Sequence, residues 1–197
     1  MVRVERPVVL ILALLLLFAM SPAAPAREMG AAVGAKETLD SIDFVKMFHI
    51  GMTYAEVQQS MPKTLEQDTL SYNSGENVFM LSVDSAASES WSAYFIFDTG
   101  DATMRRPEHL VELSCSLTLK GRSEPFESVV EKVSRAFGEP IGLDSAKGPI
   151  RQAGWRVSSE SVLTVEYTVV QNQAGGAVID FLIRGPKKTK SGSQPIA

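Results

Sequence analysis

Cysteine is almost missing from this chain: Cys115 is the only one among 197 residues. No intrachain disulfide can form, and neither dithiol redox chemistry nor a cysteine zinc cage is available. Histidine is nearly as scarce. His49 and His109 stand far apart in sequence, without the spacing of metal ligands, and both are expected at the surface. A basic excess is also lacking: 19 Lys and Arg face 23 Asp and Glu, a net charge of −4. Such a chain has no electrostatic footprint for nucleic acid, which needs a basic face to displace counterions from phosphates. Phosphate loops, dinucleotide fingerprints and Gly-x-Ser-x-Gly elbows do not occur, and neither does an Asn-x-Ser/Thr acceptor. After residue 26 no apolar run approaches the roughly 20 residues that span a bilayer. We therefore expect no cofactor, no metal and no enzyme activity.

The first 26 residues carry a clear signature. Arg3 and Arg6 precede an unbroken apolar run from Val8 to Met20, and Ala24-Pro25-Ala26 closes it with the small-residue pattern of signal peptidase. The run is too short for a membrane span, and Pro22 would stop a helix there. Residues 1–26 are thus expected to be a cleaved signal peptide, with a retained anchor as the rival reading. Its removal takes away Arg3, Arg6 and Glu5, leaving 17 basic (19 less 2) and 22 acidic (23 less 1) residues. No cysteine near the cleavage point offers a site for lipid attachment. An exported domain without a disulfide fits the bacterial periplasm better than an animal extracellular fluid, so the localisation expected is periplasmic or secreted.

Residues 27–38, rich in Ala and Gly, read as a flexible leader. Helix signals follow. Leu39, Ile42, Phe44, Val45 and Phe48 are spaced for a helix over 38–48. Thr53-Tyr54-Ala55-Glu56 has the spacing of a capping box, with Pro62 closing the segment. Phe126, Val129, Val130, Val133, Ala136 and Phe137 form an amphipathic stripe, stopped by Gly138 and Pro140. Asp40 with Asp43, and Glu124 with Glu127, read as acids at helix starts that complement the dipole. Strand alternation marks 77–83, 90–97, 109–119, 153–157, 161–170 and 177–183. In 109–119, Val111, Leu113, Cys115, Leu117 and Leu119 face inward, so Cys115 is expected to be a buried thiol.

These elements run helix, strand, strand, strand, and then repeat. Val57 and Val133 differ by 76, as do the strand starts Asn77 and Ala153. The fold class expected is α+β: two tandem α-β-β-β units with antiparallel sheets, each helix on one sheet face. Residues 39–120 form the first unit and 121–184 the second, followed by a disordered tail over 185–197.

Ile50-Gly51-Met52-Thr53-Tyr54-Ala55-Glu56-Val57, with Met61-Pro62 after it, resembles the helix entry of the SmpA/OmlA (BamE-like) outer-membrane assembly lipoproteins. Their motif runs Gly-Met-Thr, two or three residues, Val, and a Gly-x-Pro ending. Tyr94-Phe95-Ile96-Phe97-Asp98 with Gly100, then Leu110 to Leu113, is similar to their last hairpin. Phe137-Gly138-Glu139-Pro140 and Trp155 give the second unit a fainter likeness. A doubled unit in one exported chain is similar to the β-lactamase inhibitor proteins. The resemblance implies a protein-binding role in envelope assembly or in inhibition of an exported enzyme. This chain lacks the lipidated cysteine of the first group and the paired cysteines of the second, so neither anchorage nor stapled loops carry over.

Three functional readings follow from the residues. Val78, Met80, Tyr94 and Ile96, with Leu110 nearby, put apolar groups on the face opposite the first unit's core. That face is either buried between the units or held out to a partner. The first reading is a periplasmic protein-binding module whose contacts are Met80, Trp91, Tyr94 and Ile96, with Arg105 and Arg106 at the rim. The partner would be another envelope or exported protein. The second is a carrier of a small apolar ligand between two sheets, in a cavity lined by Met80, Ile96 and Val162. The third and remotest is an aspartic-type hydrolase using Asp98-Thr99-Gly100. Asp101 follows that string where such enzymes carry a small residue, and Asp98 and Gly100 also suit an ordinary hairpin turn.

Overall fold

A computed structural model describes residues 26–85, 88–99, 106–120, 124–143, 148–170 and 176–186, with the side chains of 26–35, 88 and 89 left aside. Residues 1–25 of the expected signal peptide (1–26), Gly100, Arg105 and residues beyond 186 lie outside the described residues. The fold is α+β. Three helices are described: α1 (Ala26–Lys46), α2 (Tyr54–Ser60) and α3 (Phe126–Phe137). None is long and apolar enough to cross a membrane.

Among the described residues, nine strands build one antiparallel sheet. They are β1 (Leu65–Gln67), β2 (Ser71–Asn73), β3 (Val78–Ser85), β4 (Ser88–Thr99), β5 (Pro107–Lys120), β6 (Gly142–Leu143), β7 (Ile150–Arg156), β8 (Val162–Val169) and β9 (Gly176–Arg184). Their order is β1-β3-β4-β5-β9-β8-β7-β6, with β2 also pairing β3. The triplets β3-β4-β5 and β7-β8-β9 are simple meanders, and they meet edge to edge where β5 pairs β9 over Glu112–Lys120 and Gly176–Arg184. The long strands therefore share one sheet, and among the described residues no second sheet lies opposite Met80, Ile96 and Val162. The three side chains expected to line a carrier's cavity thus lie, among the described residues, on one sheet and not between two.

Alternation decides the rest. Phe79, Leu81, Val83, Ala93, Phe95, Phe97, Leu113, Cys115, Leu117, Leu119, Ile179, Phe181 and Ile183 are buried on one face. That face carries the helices, with α1 and α2 over β5 and α3 over β7. Phe44 and Phe48 of the α1 segment meet Phe95 at 6.1 and 4.9 Å between ring centroids. From α3, Phe126, Val129 and Val133 are buried, and Trp155 beneath them donates from Nε1 to Ser134 Oγ at 3.2 Å. Gly138 ends the helix at φ 86°, its amide donating to the Ser134 carbonyl at 2.8 Å. A left-handed stop of this kind favours glycine because no Cβ opposes it.

The capping box forms as its spacing predicts. Thr53 Oγ1 accepts from the Glu56 amide at 3.3 Å, and Glu56 Oε2 accepts from the Thr53 amide at 2.7 Å. That amide holds the Glu56 carboxyl below its usual range. Other expectations are corrected. Helix α1 begins at Ala26, so it runs through the segment read as a flexible leader, where alanine is the strongest helix former. Asp40 and Asp43 then sit near the end of α1, not at its start. Glu124 precedes α3 and is only 4 % exposed. Its carboxylate accepts from Thr38 at 2.7 Å and Ser128 at 2.6 Å and pairs with Lys132, joining α1 to α3. The first long strand of each triplet starts at Val78 and Ile150, so the offset of 76 is not kept there.

One irregularity governs the first triplet. Phe97 pairs Leu110, while Ile96 pairs Glu112, leaving Val111 as the extra residue of a β-bulge. The bulge reverses parity below it, so Leu110 is buried at 1 % exposure instead of joining the opposite face. The Gly-Met-Thr turn is docked against this point. Gly51, at φ 95°, donates to the Leu110 carbonyl at 2.8 Å, and the Leu110 amide returns a bond to Met52 at 2.7 Å. Across the bulge, Gly185 donates to the Val111 carbonyl at 3.2 Å. A Cβ at Gly185 would lie 2.7 Å from Ile50 Cγ2. Gly185→Ala is expected to cost about 1–3 kcal/mol, the usual range for forced overpacking. Urea unfolding of Gly185→Ala, Ile50→Ala and the double variant checks this, since removing Cγ2 of Ile50 should recover part of the loss.

Candidate functional site: the open face of the sheet

All three helices lie on one face, and the other is uncovered among the described residues. Strand register lays it out as rows. Met80 of β3 stands beside Ile96 of β4, and Ile96 beside Glu112 of β5. Glu112 continues to Arg184 of β9 and Arg184 to Val162 of β8. The next row runs Ser82, Tyr94, Ser114, Leu182, Thr164, Gly154. A third runs Asp84, Ser92, Ser116, Asp180, Glu166, Gln152.

Small hydroxyl residues thus occupy the middle. Ser114, Ser116 and Thr118 of β5 leave the centre low, and Tyr94 rises beside them with 42 % of its surface exposed. A depression of about 390 Å³ lies there, lined by Asp84, Ser85, Ser90, Trp91, Ser92, Tyr94, Ser116 and Thr118. Polar groups bond across the face: Arg184 Nε donates to the Glu112 carboxylate at 2.8 Å, and the neutral amide of Gln152 donates to Glu166 at 2.5 Å. The carboxylate of Glu112 raises the pKa of Arg184 above its ordinary value. A surface with an apolar pair, an exposed tyrosine and a rim of matched polar groups has the anatomy of a protein-recognition patch.

Met80, Tyr94 and Ile96 come together on this face, as their parity predicts. Trp91 lines the depression beside Tyr94, but its strand parity is that of the core side. Its register partner is the core residue Leu117, and its ring meets Phe44 edge-on at 4.8 Å. Trp91 shares its parity with Ala93, Phe95 and Phe97, a signal sufficient to put it on the helix side. Arg106 is exposed just before β5, while Arg105 lies outside the described residues. Ser114, Ser116, Leu182 and Glu112 also lie on this face, and only the β5–β9 pairing brings its two halves together.

The remaining candidate groups have structural partners. Asp98 Oδ1 accepts from the His109 amide at 3.0 Å, tying the end of β4 to β5. Ligand atoms of Asp98, Glu108 and His109 lie within 4.8 Å of one another, with His109 and Glu108 exposed. Searches against protein-family models, curated proteins and solved structures return no match.

Cys115 is fully buried beneath α1, and burial pushes its thiol from its ordinary value up to about 12. The folded chain therefore keeps a proton that the unfolded chain releases above about pH 9. Stability is fully present below that pH and falls as pH rises toward 12. Cys115→Ala is expected to show a shallower decline in urea stability between these limits. In the folded wild type, a thiol reagent at pH 8 should label Cys115 only at the rate of global unfolding. Immediate labelling would disprove the burial.

Proposed function

We propose that this chain is a non-catalytic protein-binding module that presents the open sheet face to another exported protein. The observation that carries the reading is Tyr94, exposed beside the Met80–Ile96 pair and the low hydroxyl row of β5, on a face no described helix covers. Aromatic anchors surrounded by polar groups carry much of the energy in protein interfaces. The resemblance of Ile50–Val57 to the BamE-like helix entry supports a role in the bacterial envelope, and the signal-like residues 1–26 support export.

The architecture is read as two tandem units, 39–120 and 121–184. In support, each supplies one three-stranded meander, and the meanders are mirrored about the β5–β9 pair. Val57 and Val133 are fully buried helix positions in both. Tandem units joined at strand edges leave the outer faces continuous, which gives one broad surface where a single unit would give half.

The test is a crosslinked capture from the organism's own periplasm with the mature, tagged protein. Tyr94→Ala should cut recovery of the dominant partner by about tenfold or more, as loss of a buried aromatic anchor does. Its thermal midpoint should stay close to wild type, because Tyr94 is not in the core. A large drop in midpoint, or undiminished capture, would remove Tyr94 from the site.

A further inference from the structure

On the helix side, a cleft of about 490 Å³ opens between α1, the segment after α2 and the ends of β3 to β5. Its size is that of a small-molecule site. Phe44 and Trp91 form its aromatic floor, their rings edge to face at 4.8 Å, and Leu65, Leu117 and Met47 complete the apolar walls. Met47 leaves 43 % of its surface exposed at the mouth. Glu37, Asp40 and Asp43, on successive turns of α1, supply the charge along one side. No lysine, arginine or histidine lines the cleft among the described residues. Lys36 reaches Asp40 at 2.6 Å, but from the exposed side of the helix.

Two physical features select the occupant. Aromatic faces attract cations through their quadrupole, and tryptophan does so most strongly. The carboxylates add to the same sign, and Asp40 and Asp43 sit near the C-terminal end of α1, where the helix dipole is also negative. An anion would meet all three terms as repulsion. A neutral apolar molecule would gain only the burial.

We propose that this cleft is a binding site for a small amphiphilic organic cation, an ammonium or guanidinium head on an apolar body. The apolar part packs on Leu65, Leu117 and Met47. The charged head lies between the Trp91 ring and the carboxylates of Asp40 and Asp43. The cleft opens on the helix side and shares only Ser85 and Trp91 with the depression beside Tyr94, so its carboxylates and apolar walls are its own.

The experiment titrates the mature protein with hexyltrimethylammonium, 1-hexanol and hexanoate, which differ mainly in the charge of one end. Trp91 is the reporter. The only other tryptophan, Trp155, is fully buried in the second half of the sheet and gives a constant background. A saturable change in emission is expected, with the cation binding tightest and the anion weakest. Replacing both Asp40 and Asp43 by Asn should weaken the cation about tenfold, roughly threefold for each exposed carboxylate, and leave hexanol unchanged. Trp91→Phe keeps an aromatic floor and should abolish the optical response while calorimetry still detects binding. Equal affinities for the three probes, no saturation, or an optical response that persists in Trp91→Phe would each overturn the proposal. So would binding of a lysine-rich peptide where the alkylammonium fails, which would mark a protein contact in its place.

Discussion

The pairing of β5 with β9 is the constraint on which everything else rests. Cys115 stands beside Phe181, Leu113 beside Ile183 and Leu117 beside Ile179, so the cores under both meanders become one. The same register sets Ser114 beside Leu182 and Ser116 beside Asp180 on the other face. A slip of one residue would turn five core side chains of β5 to water and bring its serines inward. The bulge at Val111 fixes the end of this register. There the Gly51 turn, Ile50 and Gly185 crowd against the strand and leave no room for a shift.

The long strands were legible because each has one wet and one dry face, which writes a period of two into the chain. The capping box of Thr53 and the stripe from Phe126 to Phe137 were legible for the same local reason. What could not be read is non-local. The strands β1, β2 and β6 are too short to alternate, and they exist because β3 and β7 offer them an edge. Leu110 follows simple alternation until the Gly-Met-Thr turn forces the bulge. Of the candidate face, Met80, Tyr94 and Ile96 could be grouped by parity alone. Whether they were covered depended on strand order, which no local pattern records. Trp91 shares the parity of Ala93, Phe95 and Phe97, so its ring turns to Phe44 while it still borders the depression beside Tyr94.

Strand β4 serves two surfaces at once. It gives Tyr94 to the open face and Trp91 to the cleft beneath α1, three residues apart on opposite sides of a single strand. The polar cluster around Glu124 works differently. It links Thr38 of α1 to Ser128 and Lys132 of α3, and Tyr167 donates to the Glu124 carbonyl at 2.7 Å. Buried ionic groups of this sort add little net stability but suffer few alternative arrangements. They hold the two long helices in one relative position, which keeps the wall of the cleft in place.

The seam also sets the order in which the fold can be completed. Glu112 and Arg184, which bond across it, are 72 residues apart in sequence. The first meander can close from local turns, yet its inner edge stays open until β9 arrives. Contacts of such long range slow folding, and an open edge is a template for pairing with another chain. A chain shortened by even its last described strand would therefore not lose a margin of the sheet. It would be cut through the middle, with the backbone of β5 exposed along the line where the two halves should have met.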